Sequence, residues 1–348
     1  MHREEISASR MIDKVLIVIP CLNERRHIEK LIADIQRDTA EIDHLIVVAD
    51  GGSTDGTQAI LAAITERDAG VKVIFNPKRI QSAGVNLAVR GFGEGRHWLV
   101  RIDAHAQYPA NYICTLIEEA HRTVAASVVV AMTSRGTEGF QAAIAAIQNS
   151  ALGAGGAPHR RGGKAEFVDH GHHALFDLNA FVALGGYDEN ASHNEDAEFD
   201  LRLARAGGKI WLTRAVEVIY FPRSNVPALY RQYVCYGRGR AATLVRHRKM
   251  PKLRQMLPAG VAPAVTLAAF VPWLPIAAAP ALVWTMLSML AGAAIGRRLG
   301  LRGMAYAGIG AVTIHLAWSI GFWWELLLRL RRDRDEAFNA IATAGDAR

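Results

Sequence analysis

Asp50, Asp103, Glu195 and Asp196 have the surroundings that single out residues for chemistry in this 348-residue chain. Asp50 closes the apolar run Leu45 to Ala49 and is followed by Gly51, Gly52 and the string Ser53-Thr54-Asp55-Gly56-Thr57, which offers helix-capping side chains. Asn23 and Glu24 follow a second apolar run that ends at Pro20, and Asp103 and His105 follow a third. Carboxylates gathered at strand ends repel one another unless they hydrogen-bond a ligand or share a metal. In an extended segment residues i and i+2 face one side, so Asp103 and His105 are expected to meet one divalent ion. A carboxylate and an imidazole suit Mn²⁺ or Mg²⁺ when diphosphate oxygens fill the other positions. Glu195 and Asp196 fall in the first turn of a helix, where the dipole favours negative charge and keeps an acid ionised for work as a general base. Asp169, His170, His172 and His173, in "DHGHHALF", read as an acceptor-binding edge, a second metal site or a polar loop.

These side chains need elements to hold them, and the chain supplies an alternating series. Lys14 to Pro20 is short and β-branched, and Ile28, Leu31, Ile32 and Ile35 then recur at helical spacing. The pattern repeats as strand 45–48, helix 57–67, strand 71–75, helix 81–90, strand 98–102, helix 111–124 and strand 127–132. Strands alternating with helices imply right-handed crossovers and an α/β fold with a mainly parallel sheet. In such sheets ligands bind outside the carboxyl ends of the strands, where Glu24, Asp50 and Asp103 fall. The stretch 134–171 loses periodicity in Gly, Ala and basic residues and reads as a mobile loop. Beyond it the sequence predicts a helix 196–206, strands near 210–212 and 216–220, and a basic amphipathic helix 227–248.

From Leu257 to Leu328 the chain is nearly free of acids and amides. Three segments emerge, 257–274, 276–295 and 304–328; at roughly 20 residues per span the first two are long enough to cross a membrane, and the third either spans it or lies in or re-enters it. The first two read as a hairpin bent at Pro272, Pro275 and Pro280, and the expected division is a soluble domain 1–250, a membrane region 251–330 and a polar tail 331–348. The formal charge of +7 is carried by 40 Lys and Arg against 33 Asp and Glu. Arg238, Arg240, Arg246, Arg248, Lys249, Lys252 and Arg254 precede the apolar region, and Arg329, Arg331, Arg332 and Arg334 follow it. Bases placed so favour a cytoplasmic membrane face with anionic lipid over nucleic acid. Cys21, Cys114 and Cys235 give neither a disulfide framework nor a metal knuckle. The first 20 residues lack the apolar core of a signal peptide, so the soluble part is expected in the cytoplasm.

Taken in order, "VIPCLNE", "VVADGGSTDGT", "IDAH", "HNEDAEF" and "RQYVCYGRGR" resemble the inverting glycosyltransferases of family 2, over residues 15 to 240. Within that family the likeness is to the exopolysaccharide transferases of the succinoglycan biosynthesis type. The resemblance implies a Rossmann-like GT-A catalytic domain followed by C-terminal transmembrane helices, at the inner membrane with the catalytic domain in the cytoplasm. It implies a UDP-sugar donor, UDP-glucose by expectation, a divalent metal, and a polyprenyl-diphosphate-linked sugar as acceptor, alongside polysaccharide assembly proteins. Carried over by position, Pro20, Asn23, Glu24, Asp50, Gly52, Ser53, Arg79, Asn86 and Asp103 would line the donor, with Glu24 and Asp50 on the uridine and Arg79 on the diphosphate. Asp103 and His105 would hold the metal. Asp196, beside Glu195, would be the general base, and the displacement would give a β-glycoside. His172, His173, Gln232 and Arg238 would face the acceptor.

This chain departs from the family pattern in three places. Gly51 replaces the second acid of "DDGS", Asp103-Ala104-His105 replaces "DxD", and Gly239 stands where the family's "QxxRW" has Trp. The last change implies addition of a single sugar rather than processive synthesis. Two other readings fit the same motifs: a polyprenyl-phosphate sugar synthase, and a catalytically weak nucleotide-binding scaffold. No GxGxxG follows the first strand, which argues against a dinucleotide dehydrogenase.

Overall fold

The computed structural model describes residues 13–155, 160, 164–190, 193–251, 253–271, 273 and 275–345, with side chains for all of these except 173, 254, 275 and 332–345. The chain forms two compact units, one of residues 1–135 and 157–221, the other of 136–156 and 222–348. Packing therefore divides the chain differently from composition. The basic helix and part of the expected loop belong with the apolar helices, and no boundary falls at 250.

The first unit is built on an eight-stranded sheet with order β3-β2-β1-β4-β7-β5-β8-β6. The strands are β1 (Lys14–Cys21), β2 (Asp43–Asp50), β3 (Val71–Phe75), β4 (Trp98–Arg101), β5 (Ser127–Ser134), β6 (Glu166–Val168), β7 (His172–Asp177) and β8 (Ile210–Tyr220). Strands β1 to β4 pair in parallel, as do β5 and β8, whereas β7 runs antiparallel between β4 and β5, and β6 antiparallel on β8. Period-two alternation places Val15, Ile17 and Ile19 in one core and Leu16 and Val18 in the other. The first core is closed by α1 (Ile28–Asp38), α2 (Thr57–Arg67) and α4 (Tyr112–Thr123), through Ile28, Leu31, Ile32 and Ile35 on α1. The second is closed by α3 (Gln81–Phe92), α7 (Leu178–Ala183) and α8 (Glu195–Arg205). Because β1 lies between β2 and β4, the strand order reverses there, and in open α/β sheets that is where ligands bind, outside the carboxyl ends of β1 and β4.

Three expectations need correction. The segment read as a mobile loop contains α5 (Gly139–Gln148), whose Ala143, Ile144 and Ile147 are buried, and the short α6 (Ala151–Ala154). Alanines and isoleucines at helical spacing outweigh the flanking glycines. The "HHALFD" stretch, half read as a polar loop, is the central strand β7, and the two strands expected at 210–212 and 216–220 are the single strand β8 with a shift of register opposite Val130 and Ala131.

The second unit is helical: α5 and α6, α9 (Val226–Arg246), α10 (Leu253–Ala259), α11 (Val261–Phe270), α12 (Ala279–Gly296) and α13 (Gly300–Gly345). The stretch 276–331 is long and apolar enough to cross a membrane. The tight antiparallel pair is α12 with α13, turned at Gly300 (φ +74°), rather than the first two apolar segments; Pro272 lies outside the described residues. A Cβ on Gly292 would come within 2.6 Å of the Ala307 carbonyl and one on Gly296 within 2.5 Å of the Gly303 carbonyl, so small residues set the approach. Pro263 cannot donate to the Ala259 carbonyl, and the helix breaks at Gly260. That carbonyl instead accepts from Ser319 Oγ (2.9 Å) and Trp323 Nε1 (2.7 Å) of α13.

Candidate active site

The loops after β1 and β2 are laced together. Asn23, in the left-handed region at φ 59°, donates its backbone N–H to Ser53 Oγ (2.8 Å), and its side-chain oxygen accepts from the Thr54 N–H (2.8 Å). The Glu24 N–H donates to Thr57 Oγ1 (3.0 Å) and the Arg25 N–H to Asp55 Oδ2 (3.1 Å). Asp50 is buried beneath this lacing and accepts from the N–H groups of Gly52 and Ser53, from Ser53 Oγ (2.5 Å) and from Gln58 Nε2 (3.0 Å). Burial alone would raise its pKa, but these hydrogen bonds hold the carboxyl below the usual range. Arg79, at φ 56°, lies over the turn, and a Cβ on Gly52 would meet its Nη2 at 3.3 Å. At Gly51, by contrast, a Cβ would find only ordinary contacts at 3.4 Å and beyond, so the backbone does not require glycine there.

Asp103 stands on the other side of the strand-order reversal. Asp103-Ala104-His105 is a turn, closed by the Ala106 N–H donating to the Asp103 carbonyl (3.3 Å), and not the extended segment that put Asp103 and His105 on one face. His105 is half exposed and its Nδ1 lies 3.2 Å from Glu24 Oε1, bridging the β1 and β4 loops. Asp103 Oδ1 accepts from Gln81 Nε2 (2.5 Å) and lies 3.6 Å from Arg101 Nε. Its Oδ2 faces His172 Nε2 at 3.6 Å. Burial opposes charge on Asp103, but Arg101, His172, His105 and the Gln81 amide lower its pKa below the ordinary value. Burial pushes His172 down to about 4, so the imidazole is neutral near pH 7.

Arg101, the last residue of β4, is 4 % exposed and joins this acid to the α8 pair. Its Nη1 donates to Glu195 Oε1 (3.2 Å), and its Nε makes no hydrogen bond to a described residue. Burial and the neighbouring Asp196 charge push Glu195 up to about 7 despite Arg101. Asp196 is partly exposed at the helix start, with its Oδ1 accepting from the Ala197 N–H (2.8 Å). Asn86 is buried and spent on structure: it exchanges two hydrogen bonds with the backbone of Tyr187 and donates to Glu189 (3.2 Å). Glu189 also binds Lys78 and Arg90 at 2.8 Å each, and these bonds pull it down to about 2.

The remaining sequence candidates lie elsewhere. His170 pairs with the buried Asp200 (2.8 Å) and ties the β7 entry to α8. The His173 side chain lies outside the described residues. Gln232 and Arg238 sit on α9 of the helical unit, Gln232 donating to Tyr236 (3.0 Å) and Arg238 pairing with Glu325 (3.1 Å). Sequence reasoning passed over Arg101 and Glu189, and placed Gln81 only within the stretch 76–86 expected along the nucleotide-sugar side. Of the first two only Arg101 left a signal, a lone base at the end of the apolar run Trp98 to Val100.

For a divalent cation the donors that converge are Asp103 with His172, and His105 beyond the turn. An ionised carboxylate beside a neutral imidazole fits such an ion when phosphate oxygens complete the shell. Among the described residues no three of His, Cys, Asp and Glu converge closely enough to hold an ion unaided.

A mainly parallel sheet with acids and hydrogen-bonding loops at its reversed strand ends is a frame of the GT-A type. The chain belongs to glycosyl transferase family 2, whose family model matches residues 16–185. It is 49 % identical over 321 residues to the succinoglycan biosynthesis protein ExoA of Rhizobium meliloti (strain 1021), covering 91 % of this chain and 96 % of that one. A shorter likeness, 36 % over 114 residues and about a third of each chain (31 % and 33 %), is to the undecaprenyl-phosphate 4-deoxy-4-formamido-L-arabinose transferase of Pseudomonas aeruginosa (strain UCBPP-PA14). Among solved structures, the mannosyltransferase PcManGT of Pyrobaculum calidifontis, in complex with GDP-Man and Mn²⁺, superposes with a TM-score of 0.55 at 17 % identity, covering 86 % of both chains. That last likeness is one of fold.

Proposed function

We propose that the protein transfers one hexose from a UDP-sugar, UDP-glucose by preference, to a polyprenyl-diphosphate-linked sugar during exopolysaccharide synthesis, at the cytoplasmic face of the inner membrane and with a divalent metal. The observation that carries this reading is the chain of contacts Asp103–Arg101–Glu195, which sets an ionised acid at the strand-order reversal and an acid pair at a helix start around one buried guanidinium. Asp196 takes the proton of an acceptor hydroxyl. The oxygen attacks the anomeric carbon from the face opposite the diphosphate, the bond to the diphosphate oxygen breaks, and UDP leaves with the electron pair. An α-linked donor gives a β-glycoside. Asn23, Glu24, Ser53 and the Asp50 turn receive the nucleoside, Arg79 the diphosphate, and a bound cation would supply charge neutralisation to the leaving UDP.

The test uses the full-length protein in lipid nanodiscs with UDP-[¹⁴C]glucose and a lipid extract carrying polyprenyl-diphosphate sugars. Mild acid then cleaves the lipid from its glycan. Label recovered in a β-linked disaccharide supports the reading. Label released as a monosaccharide from a lipid monophosphate favours the polyprenyl-phosphate synthase, the activity that the shorter-matching relatives' names make the second choice. Absence of labelled lipid with every UDP-sugar overturns both.

A further inference from the structure

Family 2 motifs place two acids one residue apart after β4, and here the second position is His105, drawn onto Glu24 by a turn. The crevice is thus short of one ligand at the place where sequence reasoning put it. Another strand offers a replacement. His172 opens β7, which pairs antiparallel with β4, so the start of β7 and the end of β4 meet at the same edge of the sheet. Its side chain is 14 % exposed and makes no hydrogen bond to any described residue. Its Nε2 faces Asp103 Oδ2 at 3.6 Å, while Oδ1 of the same carboxylate is taken by Gln81. That separation is too long for a hydrogen bond. Adjacent ligands of an octahedral ion at roughly 2.1 Å lie about 3 Å apart, so a closing of about half an ångström would bring both groups onto one ion.

We infer that His172 is the second protein ligand, with Asp103, of the cation that accompanies the donor diphosphate, so that the pair is drawn from two strand ends rather than from Asp103 and His105. The inference rests on the reading of the crevice as a nucleotide-diphosphate site. It explains why a polar side chain lies mostly buried on a central strand, next to an acid and without a hydrogen bond to any described residue. A carboxylate–imidazole pair also binds Mn²⁺ in preference to Mg²⁺ more strongly than two carboxylates do.

The full-length protein in nanodiscs is titrated with Mn²⁺ in the presence of UDP, and the bound ion is examined by pulsed electron paramagnetic resonance for coupling to an imidazole nitrogen. The wild type is expected to show the coupling. His172→Gln should lose it and bind Mn²⁺ about tenfold or more weakly, with a reduced preference for Mn²⁺ over Mg²⁺. His105→Gln should keep the coupling and bind within about threefold of the wild type. Should His172→Gln fail to fold by thermal unfolding, the His105→Gln signal decides alone: coupling retained there supports His172, and coupling lost overturns it. Unchanged Mn²⁺ affinity in folded His172→Gln, with affinity lost in Asp103→Asn, would overturn the His172 assignment and leave the crevice reading intact. No Mn²⁺ or UDP binding by the folded wild type would overturn both.

Discussion

At the residue scale the account turns on three acids and one guanidinium. Asp196→Asn is expected to lower turnover by about 10²- to 10⁴-fold while leaving UDP binding within about twofold, because a base acts on the acceptor proton and not on the nucleotide. Parallel turnover and UDP titrations on the same preparation check it. Glu195 behaves differently. Its folded pKa of about 7 lies above the ordinary 4.5, so the native state holds a proton that the unfolded chain releases. Stability from this group is present in full below about pH 4.5 and is lost as pH rises towards 7. Denaturant melts across that window should slope downward in the wild type and flatten in Glu195→Gln. The acids were legible in the sequence because their neighbours, the glycines after Asp50 and the helix after Asp196, are local. The partners of Arg101, Gln81 and Glu189 were not. They lie 94, 22 and up to 111 residues away, and no short motif records such a pairing.

At the element scale, period and composition specified most of the first half. Helix α1 buries the four residues that its spacing marked, and β2, α2 and β3 fall within two residues of expectation. The misses have physical causes. Strand β7 opens on two histidines, one of which, His172, faces Asp103 at 3.6 Å, and that polarity hides the strand. Helix α5 is apolar for the sake of α9 and α13, whose Leu229, Ala311 and Ile314 cover it, and that partnership is invisible locally. The turn between α7 and α8 makes a sharper forecast. Gly186 sits at φ +69°, and a Cβ there would lie 2.5 Å from Asn86 Oδ1. Gly186→Ala should cost about 2 kcal/mol or more, since it adds backbone strain and breaks the Asn86–Tyr187 exchange. Equilibrium unfolding measures it, and a loss under about 0.5 kcal/mol would contradict the role given to Asn86.

At the scale of the whole molecule, the helical unit is assembled from two separate stretches of the chain, 136–156 and 222–348. A fragment ending at 250 keeps α5 and α9 but deletes α13, which exposes Ile144, Ile147 and Leu229. Such a fragment is expected to aggregate on size-exclusion chromatography, whereas the full chain in detergent should elute as a single species. The composition that announced an apolar region did not announce which earlier helices pack on it, because the glycines at 237 and 321 that admit close contact of α9 and α13 look, in sequence, like breaks.

The claim that joins these scales is that the crevice between β1 and β4 binds a nucleotide diphosphate-sugar. Its most direct test is calorimetric titration of the full-length protein in nanodiscs with UDP-glucose, UDP-galactose, UDP-N-acetylglucosamine and GDP-mannose, each with and without Mn²⁺. The account predicts metal-dependent binding of a UDP-sugar that disappears in Asp103→Ala. Metal-independent binding that survives Asp103→Ala, or no binding to any of the four by the folded protein, would contradict it.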